Sequence, residues 1–205
     1  MPSEDLRRHS AAAERNAEPI LAELQRILPP LGVMLEIASG TGQHAAYFSA
    51  GLPGWQWQPT DADATALASI SAWCAGVARV RPPRLLDVRS QPWTGEWLEP
   101  GVDAMFCANL IHISPWSCSV GLMQGAARHL AVHGMLVTYG PYLEDQMPTA
   151  ARNLAFDADL RRRDPDWGLR RVADLAAQAH SVGLHLRQRV QMPANNLLLV
   201  WSRGV

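Results

Sequence analysis

The stretch Val33-Met34-Leu35-Glu36-Ile37-Ala38-Ser39-Gly40-Thr41-Gly42-Gln43-His44 decides the fold of this chain. An apolar run ends in an acid, continues into small residues and then meets residues that can start a helix. Ala38, Gly40 and Gly42 have little or no side chain, so a ligand can approach the backbone closely, and the glycines tolerate a tight turn. This order predicts a buried first strand that delivers a nucleotide-like ligand to the N-terminus of a helix.

The acid Glu36 at the carboxyl end of this strand bears on the choice of cofactor. A carboxylate there repels the pyrophosphate of a dinucleotide and attracts an ammonium or sulfonium group. We therefore expect S-adenosylmethionine rather than NAD. Residues 40–45 also match a loose Gly-x-Gly-x-x-Ala dinucleotide fingerprint, which keeps an NAD(P)-dependent oxidoreductase open as an alternative. Against that alternative stand Glu36 and the absence of a Tyr-x-x-x-Lys motif.

Composition narrows the class of protein. The chain has 205 residues, of which 48% are hydrophobic and 18% charged, which predicts one globular domain over residues 1–205. The net charge of −1 gives no field that would attract nucleic acid or an anionic membrane. All 18 basic residues are arginines, which excludes any mechanism that needs a catalytic lysine.

The cysteines and the N-terminal residues bear on the compartment. Cys74, Cys107 and Cys118 have no metal-type spacing and fit a reducing compartment, so no metal is expected. Residues 1–10 lack the apolar core of a secretory signal, and no run approaches the 18 or more apolar residues of a membrane span. A cytoplasmic protein without membrane contact is the expectation.

Apolar periodicity predicts alternating helices and strands along the chain. Helices are expected over about 11–28, 42–50, 64–76, 117–131, 150–163 and 171–182, and strands over 33–37, 55–60, 84–88, 104–108 and 135–139. The first helix, about 11–28, is interpreted as a lid, and His133-Gly134 as a turn before the fifth strand.

The C-terminus departs from this alternation. Leu184 to Met192 and Asn196 to Ser202 read as two strands joined by about three residues, a connection too short for parallel pairing. The fold class that follows is α/β: a doubly wound, seven-stranded, mostly parallel Rossmann-like sheet with a C-terminal antiparallel hairpin.

Polar residues stand where successive strands end, which is where open α/β sheets bind ligands. Asp61, 19 residues after Gly42, has the spacing of a carboxylate that accepts hydrogen bonds from the ribose hydroxyls. It could alternatively cap the following helix, and Asp63 is a second candidate for either role. Asp87 is a candidate acceptor for the adenine amine with Val88 beside the ring, unless it merely ends a strand. Asn109 closes the fourth strand.

These motifs, taken together, resemble the class I S-adenosylmethionine-dependent methyltransferases. More closely, the chain resembles the small family labelled domain of unknown function 938, which includes the methyltransferase-like 26 proteins. The segments that carry the resemblance are residues 13–16 with 19–20, 35–44, 57–61, 86–88, 107–116, 139–142, 153–157, 164–170 and 192–196. The broader class usually has glycine where Ala38 stands.

The resemblance implies the methyltransferase fold and S-adenosylmethionine as cofactor, and no particular acceptor. The residues expected to bind the cofactor are Glu36, Ala38, Ser39, Gly40, Thr41, Gly42, His44, Asp61, Asp87, Val88 and Asn109. His44 either covers the cofactor or is simply exposed.

Methyl transfer needs alignment, and a base only where the acceptor carries a proton. The catalytic candidates are His112, Asn109 and Tyr139; His112 is either a base or a histidine that satisfies a backbone carbonyl. The residues expected to bind the acceptor are Arg15, Asn16, His112, Tyr142, Asn153, Asp157 and Arg170, with Arg15-Asn16 alternatively a solvated helix face.

The end of the fourth strand also indicates the class of acceptor. Enzymes that methylate nucleic-acid amines carry an Asn/Asp-Pro-Pro-aromatic motif there, and this chain has Asn109-Leu110-Ile111-His112 instead. A small-molecule acceptor is the prediction, and a non-catalytic S-adenosylmethionine-binding or regulatory protein is the second interpretation.

Overall fold

Helices and strands alternate through the computed structural model, which describes residues 5–204. The helices are α1 (Ala11–Ile27), α2 (Gln43–Gly51), α3 (Ala66–Cys74), α4 (Trp116–His129), α5 (Ala151–Arg163) and α6 (Val172–Ser181). The strands are β1 (Gly32–Ile37), β2 (Trp55–Asp61), β3 (Arg84–Leu85), β4 (Val102–Ala108), β5 (Leu130–Gly140), β6 (Leu184–Met192) and β7 (Asn196–Arg203). In this described range no helix is long and apolar enough to cross a membrane.

The strands form one seven-stranded sheet in the order β3-β2-β1-β4-β5-β7-β6. β1 and β2 pair in parallel, as do β2 and β3, whereas β7 runs antiparallel to both β5 and β6. The predicted fold class is therefore confirmed, including the C-terminal hairpin, whose strands are joined by Pro193–Asn195.

The chain divides into two compact units. The first holds the described residues up to Asp87 together with Val102–Phe106, and the second holds Val88–Gly101 and the described residues from Cys107 onward. The prediction of a single domain over 1–205 stays a prediction.

The first unit is built on the pairing of β1 with β2, in register from Gly32 opposite Trp55 to Glu36 opposite Pro59. Its core contains Phe48, Trp55 and Trp57, each with at most 1% of its surface exposed. α1 adds Ile20 and Leu24, one helical turn apart, to this core, so one face of the helix is buried.

The second unit is built on β5, β7 and β6. Tyr139 lies opposite Leu198 and Gly140 opposite Leu197, so the carboxyl end of β5 meets the start of β7. Trp201 is fully buried, and its indole N–H donates to Thr138 Oγ1 over 3.0 Å. This satisfied donor allows a tryptophan to fill the interior.

Two of the predicted elements differ from the structure. The expected strand 84–88 is only Arg84–Leu85, which pair with Thr60 and Asp61 at the end of β2. The Leu86 N–H adds one hydrogen bond to the Asp61 carbonyl, and β2 itself ends at Asp61. The expected turn at His133-Gly134 is wrong, since β5 runs unbroken from Leu130 to Gly140. Turn-type composition misled here because an extended strand also accommodates an exposed His133 followed by a buried Gly134.

Candidate functional site

The loop between β1 and α2 has an unusual backbone. Ala38, Gly40 and Gly42 have φ angles of 56°, 58° and 91°, all in the left-handed region. A Cβ on Gly42 would lie 2.6 Å from the Cα of Ile70, so α3 packs directly against this residue and only glycine fits. A Cβ on Gly40 would meet no atom closer than 4.0 Å, which leaves room for a ligand beside the loop.

Backbone hydrogen bonds fix the same loop. The Ser39 N–H donates to the Thr60 carbonyl over 2.8 Å, and the Gly42 N–H donates to the Ser39 carbonyl over 3.0 Å. The first-turn N–H groups of α2 that follow have no acceptor within the helix. The N-terminus of α2 therefore offers backbone donors that suit a carboxylate or another anionic ligand group, and space is open beside Gly40.

Asp61, at the end of β2, is bound to the loop rather than to a helix end. Its Oδ2 accepts from the Gly40 N–H over 2.8 Å, and its Oδ1 accepts from the Asp63 N–H over 2.9 Å. The cap-like role before α3 falls to Asp63, which accepts from the backbone N–H and the hydroxyl of Thr65. Contact between Asp61 and a ribose stays a prediction.

Glu36 is buried, with 2% of its surface exposed. Its Oε2 accepts from the indole N–H of Trp57 over 2.8 Å, a contact that sequence reasoning missed. Burial raises the pKa of Glu36 to about 7, against the opposing hydrogen bonds from Trp57 and Ser39. A positively charged ligand group near this carboxylate would stabilise its ionised form, which is consistent with the predicted cofactor.

His44 lies in the first turn of α2 and is only 7% exposed, so surface exposure, the alternative to a cofactor role, is wrong. Its Nε2 is 3.0 Å from the Ala13 carbonyl of α1, and its ring stacks on Phe48 with centroids 4.8 Å apart. Burial lowers the pKa of His44 to about 4. Of the two predicted lid residues on α1, Arg15 is exposed and Asn16 half-buried.

Asp87 and Val88 follow β3 along the chain. Asp87 is half-buried in the first unit. Val88, in the second unit, is buried, and its carbonyl accepts from the Trp93 indole N–H over 3.1 Å. Their contacts with an adenine ring stay predictions.

His112 is the most unusual residue of the second unit. Its side chain is fully buried, and among the residues that the structure describes neither ring nitrogen has a hydrogen-bond partner. Burial lowers the pKa of His112 to about 3, so the ring is neutral at pH 7 and one nitrogen is a free proton acceptor. The second interpretation, a ring that satisfies a backbone carbonyl, is therefore not what the structure contains.

The missed Gly140 and the predicted Tyr142 lie against this ring, and the predicted Asn109 lies beside Gly140. A Cβ on Gly140 would lie 2.4 Å from His112 Nε2 and 3.1 Å from Asn109 Oδ1, so the end of β5 closely approaches both side chains. The Asn109 N–H donates to the Tyr139 carbonyl over 2.8 Å. The rings of Tyr142 and His112 are in edge-to-face contact, with centroids 4.8 Å apart. The turn residues Gly140-Pro141 were the one sequence signal that could have indicated this approach.

The two tyrosines have their hydroxyls engaged. Tyr139 is buried, and its hydroxyl accepts from the Asn196 amide over 2.9 Å. The Tyr142 hydroxyl donates to Thr138 Oγ1 over 3.0 Å, and burial raises the Tyr142 pKa above its ordinary value. Neither tyrosine is prepared to act as a base, which leaves His112 as the better candidate within this cluster.

The remaining predicted acceptor residues divide between two places. Arg170 contacts the 110–116 loop, since it donates to the Ser114 carbonyl over 3.0 Å. Asp157 contacts the residue before Arg170, since it accepts from the Leu169 N–H over 2.7 Å. Asn153 is buried and donates to the Asn195 carbonyl over 3.0 Å. It lines a small cavity of about 90 Å³ that Tyr142 also lines.

Solved methyltransferase structures share this fold. The mitomycin 7-O-methyltransferase matches with a TM-score of 0.79 and 16% identity, over 95% of this chain and 55% of its own. A methyltransferase of calicheamicin biosynthesis, solved with SAH bound, matches with a TM-score of 0.74 and 18% identity, over 94% of this chain and 55% of its own. Human N-acetylserotonin methyltransferase, solved with SAM, matches with a TM-score of 0.76 and 13% identity, over 95% of this chain and 53% of its own.

This likeness defines the class of fold, which is that of the S-adenosylmethionine-dependent methyltransferases, and the chain spans about half the length of the structures that it matches. Residues 7–203 match the model of a family described as protein of unknown function (DUF938). The chain belongs to this family, which confirms the resemblance seen in the sequence.

Proposed function

We propose that this protein is an S-adenosylmethionine-dependent methyltransferase that acts on a small molecule. The single observation that carries the proposal is the left-handed, glycine-containing loop 38–42, bound through Gly40 to Asp61 at the end of β2. Such a loop between a parallel strand and a helix suits a nucleoside ligand. The methyltransferase fold and the buried carboxyl group of Glu36 favour a cationic adenosyl donor over a dinucleotide.

Residues of the first unit hold the cofactor in this proposal. The N-terminus of α2 binds its carboxylate, Asp61 its ribose and Asp87 its adenine, and Glu36 complements its positive charge. When bound, S-adenosylmethionine supplies a methyl group on a sulfonium, and the neutral thioether that leaves needs no acid to depart.

Residues of the second unit act on the acceptor. His112 takes the proton that an acceptor hydroxyl loses as it is methylated, since its nitrogens have no partner in the described structure. Burial lowers its pKa and makes it a weak base, which is sufficient because a hydroxyl becomes strongly acidic when its oxygen gains a methyl group. Asn109 and Tyr142 orient the ring and the acceptor, and Asn153, Asp157 and Arg170 shape the surroundings.

Calorimetry with S-adenosylhomocysteine tests the cofactor assignment. Wild type should bind it, and Asp61→Ala should bind it at least tenfold more weakly, since that variant loses both a ribose acceptor and the Gly40 contact. Asp159→Ala, an exposed carboxylate on α5, is the matched control and should bind as wild type does. Absence of binding in wild type, or equal binding in Asp61→Ala, would falsify the assignment.

Turnover is tested separately by following S-adenosylhomocysteine release with a panel of small phenols, alcohols and amines. His112→Gln should lower the rate by about 100-fold or more and leave S-adenosylhomocysteine affinity unchanged. Cofactor binding without release for any acceptor would instead favour the non-catalytic interpretation.

A further inference from the structure

The described N-terminal residues 5–10, here called the strap, are fastened to α3. The Arg8 N–H donates to Ser69 Oγ over 2.8 Å, and the Trp73 indole N–H donates to the Arg8 carbonyl over 2.7 Å. The Arg8 guanidinium also donates to Thr65 Oγ1 over 2.9 Å. Both backbone groups of one strap residue are therefore held by side chains about 60 residues further along the chain.

Two side chains connect the strap to the loop 38–42. Ser69 Oγ, which accepts from Arg8, donates to the Thr41 carbonyl over 2.7 Å. Gln43 Oε1 accepts both the Ser10 N–H over 2.6 Å and the Thr41 hydroxyl over 3.0 Å. Each bridge thus contacts the strap on one side and Thr41 on the other.

Thr41 is the residue at which such a connection has the greatest effect. It lies between Gly40 and Gly42, both in the left-handed region, where glycine has the widest conformational freedom. Outer contacts that fix the carbonyl and hydroxyl of Thr41 therefore reduce the freedom of the whole loop. Ser69 is 1% exposed and Gln43 9%, so water cannot easily replace these contacts.

We propose that Ser69 and Gln43 are positioning residues through which the strap holds the loop 38–42 in its ligand-binding conformation. The inference rests on the proposed function, because the ligand concerned is S-adenosylmethionine. Binding of the cofactor and docking of the strap are then coupled: a fixed strap strengthens cofactor binding, and the bound cofactor stabilises the docked strap to the same extent.

Calorimetry with S-adenosylhomocysteine on the full chain tests the first half of this coupling. Ser69→Ala should weaken binding by about fivefold or more, because it removes the hydrogen bonds of the hydroxyl to both Arg8 and Thr41. Ser71→Ala, an exposed serine on the same helix, is the matched control and should bind as wild type does.

Gln43 provides a second variant. Gln43→Met removes the acceptor for Ser10 and Thr41 at similar size and should weaken binding by about fivefold or more. Gln124→Met, at an exposed glutamine of α4, is the matched control and should bind as wild type does. Equal affinity in Gln43→Met and Gln124→Met would show that the acceptor has no positioning role and would overturn the proposal.

Trypsin cleavage after Arg8, identified by mass spectrometry, tests the second half. Saturating S-adenosylhomocysteine should slow this cleavage severalfold in wild type and in Ser71→Ala, and clearly less in Ser69→Ala, where only the Gln43 connection remains. A simple loss of packing would speed cleavage in Ser69→Ala without reducing the response to the ligand.

The outcomes separate the two proposals. If wild type binds S-adenosylhomocysteine but cleavage after Arg8 ignores it, or if Ser69→Ala binds as tightly as wild type, the positioning role is overturned and the cofactor assignment stands. If wild type does not bind S-adenosylhomocysteine at all, both proposals fall together.

Discussion

Replacing the buried acid Glu36 by glutamine should stabilise the protein in a pH-dependent way. Burial raises the Glu36 pKa from the ordinary 4.5 to about 7, so the folded chain holds this proton more tightly than the unfolded chain. The stability that this difference contributes is fully present below pH 4.5 and is lost as the pH rises through 7. Each tenfold change in proton affinity corresponds to about 1.4 kcal/mol, so the loss above pH 7 amounts to about 3 kcal/mol.

Glutamine removes the titration and keeps an oxygen that can accept the indole N–H of Trp57. Glu36→Gln should therefore exceed wild type by up to about 3 kcal/mol in free energy of unfolding at pH 8, and by little at pH 4.5. Urea unfolding followed by circular dichroism at several pH values measures the difference. Titrations of other groups cancel in it, because they are common to both proteins.

Glu18→Gln on the exposed face of α1 is the matched control and should differ from wild type by less than about 0.5 kcal/mol at every pH. A stability difference for Glu36→Gln that stays constant with pH would refute the reasoning. So would a variant that is less stable than wild type at pH 8, since the carboxylate would then contribute net stability through a partner.

Three further predictions concern the buried histidines and their surroundings. His112→Leu should raise the free energy of unfolding measured in urea titrations by about 1 kcal/mol while abolishing methyl transfer. The reason is that it removes two buried nitrogens that have no partner among the described residues. A less stable variant would argue against an unsatisfied ring. Gly140→Ala should lower the free energy of unfolding by about 2–4 kcal/mol, since its Cβ would lie 2.4 Å from His112 Nε2. Gly183→Ala, also at positive φ but in open space, should lower it by only about 1 kcal/mol. Equal losses of stability in the two variants would contradict the close approach. His44→Gln should make the protein less sensitive to acid. Burial lowers the His44 pKa from 6.5 to about 4, so wild type loses about 3 kcal/mol of stability as the pH falls from 6.5 to 4, and the variant should not. Acid-unfolding curves of the two proteins measure this difference.

Much of the architecture could be predicted because its signals are local. The apolar run 33–37 and the small residues after it indicated β1 and the loop, and the three-residue connection before Asn196 required an antiparallel hairpin. The turn predicted at His133-Gly134 was wrong because the same two residues are also compatible with the middle of a strand, with His133 exposed and Gly134 buried.

The candidate site could be predicted only as a set of positions. Asp61 was singled out by its distance from Gly42, yet its observed partner, the Gly40 N–H, could not be deduced from spacing. Ser69 carried no signal, since a serine inside a helix looks the same whether or not its hydroxyl contacts a distant loop.

The amino-acid sequence by itself determined the order of helices and strands, the glycine-containing loop before α2 and the hairpin at the C-terminus, since periodicity and turn chemistry act within a few residues. Only the tertiary structure decided that Glu36 contacts Trp57, 21 positions away, and that Arg8 contacts Ser69, 61 positions away. It also decided that the His112 ring is enclosed without a hydrogen-bond partner among the described residues. These features depend on strand register and on how helices pack, which arise from the free energy of the whole chain rather than from any short segment.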